Sequence, residues 1–377
     1  MSLIGKNNAI AKAAGQAFRR RLPYSAWMYF TIRTALVFSL ALFFVVTANA
    51  QAVDRETALL NPRAIALNPV TSDVYAVVPR ENAVMVFHKG ANSARRIGVG
   101  RGPVALAVNP KTNRIYVANN ESGSVSVVDG AAEAVTATLD VGANPYVLAV
   151  DSTCNRIFVS NTFSDVITVI DGKTNAQTKR KAGSADAIEV DENAGKVYLL
   201  GYEDENLRVL DEESGAISKV KVGMHEWGMA LDSERRAVYV TMSGSDELAM
   251  IDQAKNNVRK VTTGGTPCSV ALNPASARLY VVNHTSDSVT VVDATQSSVI
   301  AAIAVGHKPQ GIAVDAKRNR IYVANRSDSS VSVIDGAQNK VVTTVPVAGN
   351  PFALMVEPNS GRLYATTLDK PLVIAIP

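Results

Sequence analysis

Val141 to Lys181 reads VGANPYVLAVDSTCNRIFVSNTFSDVITVIDGKTNAQTKRK, and the pattern it sets recurs seven further times along the chain. Its marker is an aromatic inside a short apolar run: Tyr75, Tyr116, Phe158, Tyr198, Tyr239, Tyr280, Tyr322 and Tyr364, with successive gaps of 41, 42, 40, 41, 41, 42 and 42 residues. A period near 40 carrying several short strands is the signature of a propeller array. Within the unit, Tyr146–Val150, Arg156–Ser160 and Val166–Ile170 are nearly continuous or alternating apolar runs, as expected of strands covered on both faces. The fourth run, Gln177–Lys181, is charged, which suits an outer edge whose unpaired N–H and C=O groups would otherwise recruit another chain. The spacing therefore predicts an inner, a second, a third and an outer strand, with turns at Asp151–Asn155, Asn161–Asp165 and Asp171–Asn175.

Residues 1–50 are of another kind. They hold six Lys or Arg and no Asp or Glu, then a 12-residue apolar run from Ala35 to Val46 and the small-residue triplet Ala48-Asn49-Ala50. The run is shorter than the roughly 20 residues a membrane span needs. It reads as a signal peptide cleaved after Ala50, with Met28 as an alternative start and a periplasmic or extracellular destination. Arg19-Arg20-Arg21 resembles a twin-arginine signal but stands about a dozen residues from the apolar run. Removing the leader takes six of 38 basic residues and none of the 34 acidic ones, so the mature chain is near −2. Without a net positive field, binding to a phosphate backbone is not expected. The two cysteines, Cys154 and Cys268, fall in different units and on opposite faces, so they are expected to stay unpaired.

Residues 51–377 are expected to form one all-β domain, an eight-bladed propeller of four-stranded antiparallel blades, without a transmembrane span and monomeric. The last unit offers only three strands: Phe352–Val356, Arg362–Thr366 and Leu372–Ile376. The segment Val53–Leu59 precedes the first inner strand and is expected to supply the missing fourth, closing the ring and removing an open edge.

The units resemble the YVTN-repeat β-propeller family. Arg114–Asn119 and Arg320–Asn325 (both RIYVAN) match its eponymous strand, Val99-Gly100 and Val305-Gly306 match the residues leading into the unit, and Ser126–Gly130 and Ser332–Gly336 match its third strand. The likeness runs over 56–377 and is weaker in the first unit and in the fourth, where Tyr198-Leu-Leu-Gly201 replaces the usual run. The resemblance implies an exported propeller similar to YncE-type periplasmic proteins and surface-layer proteins. Such relatives commonly have seven blades, the alternative count, whereas haem d1 domains of nitrite reductases have eight. It implies no general catalytic set.

Comparing the units separates scaffold from candidate site. Asp129, Asp171, Asp211, Asp252, Asp293 and Asp335 end third strands and Asn119, Asn161, Asn283 and Asn325 end second strands, so turn formation and loop anchoring explain both sets. The first residue of the inner strand varies instead: Arg63, Val104, Tyr146, Asp186, Trp227, Cys268, Gln310 and Phe352. Three aromatics at one channel mouth suit a ligand pocket, or else a plug that keeps the channel packed. Loops on the same face add Arg101, Lys308 and Arg326 to the candidate ligand-binding set; the same loops also carry Arg80, Glu121, Phe163, Tyr202, Glu203, Asp204 and Glu226, outside that set. His225, His284 and His307 also lie there and are candidate ligands for a metal or an axial haem position, although they share no local ligand spacing. No cofactor is predicted, and G-x-S-x-G, H-E-x-x-H and phosphate-loop motifs are absent from the sequence. The expected function is a non-catalytic binding scaffold for a protein, peptide, glycan or small ligand at the mouth. The alternatives are a metal- or haem-dependent enzyme or cofactor carrier, and a structural component of the cell envelope.

Overall fold

Alternating apolar runs separated by Asp, Asn and Gly turns fold into antiparallel sheets built strand by strand in chain order. The computed structural model describes residues 64–367, apart from 92, 202–203, 224–225 and 256, together with 372–374; for Glu226, Trp227, Leu372 and Val373 only the backbone is described. Blade 1 comprises Ile65–Leu67, Val74–Val78, Ala83–Phe87 and Arg95–Gly98, and blade 2 Pro103–Asn109, Arg114–Asn119, Ser124–Asp129 and Ala134–Asp140. Blade 3 comprises Pro145–Asp151, Arg156–Asn161, Val166–Asp171 and Gln177–Lys181, and blade 4 Ala187–Asp191, Lys196–Leu200, Asn206–Asp211 and Ile217–Lys221. Blades 5, 6 and 7 repeat the plan from Glu226, Pro267 and Pro309 and end at Thr262, Ala304 and Pro346.

The expected count of eight four-stranded blades is corrected to seven. The sheet that follows blade 7 has three strands among the described residues, Leu354–Val356, Leu363–Ala365 and Leu372–Ile374, and is not a complete blade. Val53–Leu59, the segment expected to complete it, lies outside the described residues.

Second and third strands are mostly buried, as in Arg114–Asn119 and Ser124–Asp129, while outer strands are mostly exposed, alternating in Ala134–Asp140 and wholly exposed in Gln177–Lys181. Each sheet shares an apolar cluster with the next. Leu106, Ile115 and Val117 of blade 2 pack with Tyr75, Val77 and Val84 of blade 1, and Ile188 and Val197 of blade 4 with Val147 and Ile167 of blade 3. Ala353 and Tyr364 of the last sheet pack with Ile65, Val74 and Phe87 of blade 1, the Phe87 and Tyr364 rings lying 5.4 Å apart at 58°. A blade has apolar residues on both faces and gains a covered core only from its neighbours.

The repeated polar residues hold the frame. Asp129 Oδ1 accepts from Ala131 and Ala132 N–H at 2.9 Å, Asp293 Oδ1 from Thr295 and Gln296, and Asp335 Oδ1 from Ala337 and Gln338, the turn role expected of them. Asn119, Asn283 and Asn325 each donate to two hydroxyls of the following strand; Asn161 donates to the carbonyls of Val141 and Ala143. Both cysteines are free, Cys268 buried and Cys154 exposed. No helix among the described residues is long and apolar enough to cross a membrane.

Candidate functional site

One face of the ring carries the loops that lead into the inner strands and the loops that join second to third strands. Backbone bonds tie the two sets together in blades 2, 3, 6 and 7 and in the last sheet: Asn120 N–H to Gly102 O, Thr162 to Asn144, His284 to Thr266, Arg326 to Lys308 and Phe352 to Thr366. The alternate turns of an up-and-down sheet thus bring the starts of the inner strands and these loops to one face.

The variable position at the start of the inner strands is a β-bulge. In blade 2, Pro103 pairs with Asn119 and Ala105 with Ala118, which leaves Val104 extra; the same slip frees Tyr146 in blade 3 and Cys268 in blade 6. In blades 5 and 7 two residues face one, Trp227 and Gly228 opposite Thr241 and Gln310 and Gly311 opposite Ala324, so one residue is again extra. A bulge inserts one residue and re-aims the side chains around it, so these positions escape the alternation of the strand. The glycines let neighbouring inner strands close up. A Cβ on Gly311 would lie 1.9 Å from Phe352 O, and one on Gly228 would lie 2.6 Å from Cys268 O.

The bulge sends different side chains to different places. Val104 enters the cluster between blades 2 and 3, and Cys268 the cluster between blades 6 and 7, where burial pushes its thiol up to about 12. Tyr146 is half-buried beside the cluster between blades 3 and 4. Asp186 is exposed, with its N–H on Leu200 O at 2.7 Å. Gln310 is buried and its Oε1 accepts no hydrogen bond. Phe352 is buried under the Arg326 guanidinium, 5.5 Å from the ring centroid. Arg101 and Lys308 are exposed. Arg63 and the Trp227 side chain lie outside the described residues, as do Tyr202, Glu203 and His225.

His284 and His307 have separate partners. His284 Nδ1 is 3.1 Å from Pro309 O, and His307 Nδ1 is 2.8 Å from Asp287 Oδ2. The hydrogen bond raises the His307 pKa and lowers that of Asp287. Neither histidine belongs to a trio of metal-capable side chains with clustered ligand atoms among the described residues.

Two features carry more than their sequence suggests. Phe163, in the loop after the second strand of blade 3, is 82 % exposed with φ 64°. Other blades place their left-handed residue two positions later in this loop and use Gly123, Asp246, Asp287 or Ser329. The second feature is on the opposite face, where Asp151, Cys154 and Glu212 bring one ligand atom each within 4.8 Å of one another. Burial, with the facing Asp151 carboxyl, pushes the Glu212 pKa up to about 7. Glu212 also lines a cavity of about 280 Å³ between blades 3 and 4, together with Arg156, Phe158, Arg180 and Asp211.

Comparison with known proteins agrees with this architecture. Among solved structures, the dihydro-heme d1 dehydrogenase NirN in complex with DHE superposes with a TM-score of 0.68 at 12 % identity, covering 80 % of this chain and 69 % of that one. The hydrazine synthase of Kuenenia stuttgartiensis superposes with a TM-score of 0.58 at 16 % identity, covering 84 % and 96 %. At such identities the likeness is one of fold. No curated protein matches the chain. Residues 103–371, well over half of the sequence, match the YNCE-like beta-propeller family, and the chain belongs to that family.

Proposed function

We propose that this propeller is an exported, non-catalytic binding scaffold that engages a protein, peptide, glycan or small ligand at the loop-rich mouth of its channel. Phe163 carries the reading. A bulky residue with positive φ is a backbone outlier, and strain of this kind collects at ligand clamps. The same residue holds an aromatic ring in water, where folding gains nothing from it. Half-buried Tyr146 stands in the same blade, while Arg101, Asp186 and Lys308 add charges of both signs around the face. Aromatic surface among a few convergent polar groups is what pockets use to orient a ligand. The basic, apolar and small-residue order of residues 1–50 supports export to the periplasm or beyond.

The test is selection of ligands from a displayed peptide library and a glycan array by the mature chain, followed by titration against variants. Phe163→Ala and Tyr146→Ala are expected to weaken a selected ligand roughly tenfold or more each with unchanged far-UV circular dichroism. Unaltered affinity in both, or no selective ligand in either library, counts against the reading.

A further inference from the structure

The face opposite the mouth carries the same polar joint at three of its junctions, and at the junction of blades 3 and 4 a pair of acids stands in its place. Where the joint is intact, an Asn closing one inner strand donates across to the next blade: Asn68 Nδ2 to Asn113 Oδ1 at 2.8 Å, Asn109 to Asn155 at 2.8 Å, and Asn273 to Asn319 at 2.9 Å. The accepting Asn abuts a glycine after the third strand, for a Cβ on Gly130, Gly172 or Gly336 would lie within 2.5 Å of that Oδ1. Between blades 3 and 4 each part has changed. Asp151 holds the donor's place, Gly195 the acceptor's and Glu212 the glycine's, with Glu212 N–H still bonded to Gly195 O at 3.0 Å as Gly172 N–H is to Asn155 O. The loss of the Asn side chain at 195 leaves room for the glutamate.

The exchange brings two acids together without a donor between them. Asp151 is 1 % exposed; its Oδ1 accepts from Thr153 and Cys154 N–H at 2.6 and 2.7 Å, but Oδ2 has no hydrogen-bond partner. The Glu212 side chain is 4 % exposed, and neither of its oxygens accepts a hydrogen bond; the Arg156 guanidinium is 3.5 Å from Oε2. In two other blades the Asp at this place has an arginine three residues on: Arg235 Nη1 lies 3.0 Å from Asp232 Oδ2, and Arg318 Nη1 lies 2.9 Å from Asp315 Oδ2. In blade 3 that arginine is replaced by Cys154. A thiol thus stands where an arginine stands in those two blades, beside the buried Asp151 Oδ2 that has no hydrogen-bond partner.

We propose that Asp151, Cys154 and Glu212 form a binding site for a divalent cation of the zinc class. One thiolate with two carboxylates is a borderline-soft donor set, which favours Zn²⁺ over Mg²⁺ or Ca²⁺. Binding sends the Cys154 Sγ–H proton to solvent, and three protein donors leave a fourth position for water or a ligand atom. Glu192 fixes the turn that presents the thiol, accepting from Ser152 N–H and Oγ–H and from Thr153 Oγ–H at 2.8–2.9 Å. Cys154 is exposed, so an ion has access from solvent.

Co²⁺ titration of the full-length protein, purified without a histidine tag, tests the site because a thiolate–Co²⁺ charge-transfer absorption reports the sulfur ligand directly. One equivalent is expected to bind with that absorption, to be displaced by Zn²⁺, and to lose the absorption in Cys154→Ser but not in Cys268→Ala. Glu212→Gln is expected to weaken binding roughly tenfold or more. Zn²⁺ is also expected to raise the melting temperature of the wild type and not that of Cys154→Ser. An absorption in the wild type no greater than in Cys154→Ser, or a wild-type melting temperature indifferent to Zn²⁺, would overturn the proposal, leaving the two acids sharing a proton instead.

Discussion

Asn109 donates from Nδ2 to Asn155 Oδ1 across the junction of blades 2 and 3, while its own Oδ1 accepts from Lys111 and Thr112 N–H. One buried amide therefore closes a turn and ties two sheets. Asn273 does the same toward Asn319 at the junction of blades 6 and 7. Each Asn→Ala substitution is expected to lower stability by about 1–2 kcal/mol through lost and unpaired hydrogen bonds. The two share no partner, so their effects should add in the double variant, as thermal or urea unfolding will show.

Gly311 is fixed by its neighbour rather than by its own backbone. Its missing side chain allows Phe352 O to approach where a Cβ would lie 1.9 Å away. Gly311→Ala is expected to cost about 2 kcal/mol or more, since neither backbone can yield without moving a blade. Gly90→Ala is the control: its Cβ would meet nothing within 4 Å, although φ is +80°. It should cost about 1 kcal/mol, and similar losses in the two variants would refute the close-approach account.

Glu357 links stability to acid pH. Burial alone would raise its pKa, but bonds from Ser360 and Asn359 outweigh that and hold it at about 2, below the ordinary 4.5. The folded state therefore binds fewer protons than the unfolded chain between these values. The contribution is present in full above pH 4.5 and is lost as pH falls toward 2. Unfolding curves of wild type and Glu357→Gln should differ by roughly 2 kcal/mol near neutrality and converge only as pH falls through about 2.

The repeat was legible because every blade needs the same things. A buried aromatic, an Asp-opened turn and a mostly exposed edge strand follow from local chemistry, and the period alone placed them. The count failed at the last sheet, where three strands read like a blade and the segment expected to complete it, Val53–Leu59, lies outside the described residues. At the mouth, Val104 and Cys268 read as channel residues from their place at the strand start, whereas the bulge puts both into clusters between blades. A two-residue period does not predict an inserted residue. Asp151 and Glu212 were missed because their meeting belongs to two turns of adjacent blades. The signals were present, a Glu in place of the glycine at 130, 172 and 336 and a Cys in place of the arginine at 235 and 318, but only the inter-blade register shows that these positions touch.

The direct test of the binding mouth is Phe163→Gly. Glycine accepts φ 64° without strain, so the melting temperature should stay level or rise, with stability up by as much as about 1 kcal/mol. Calorimetric titration of a peptide or glycan selected by the wild type should show affinity reduced roughly tenfold or more in the same variant. Affinity equal to that of the wild type, in a variant at least as stable, would contradict a ligand role for the strained, exposed ring.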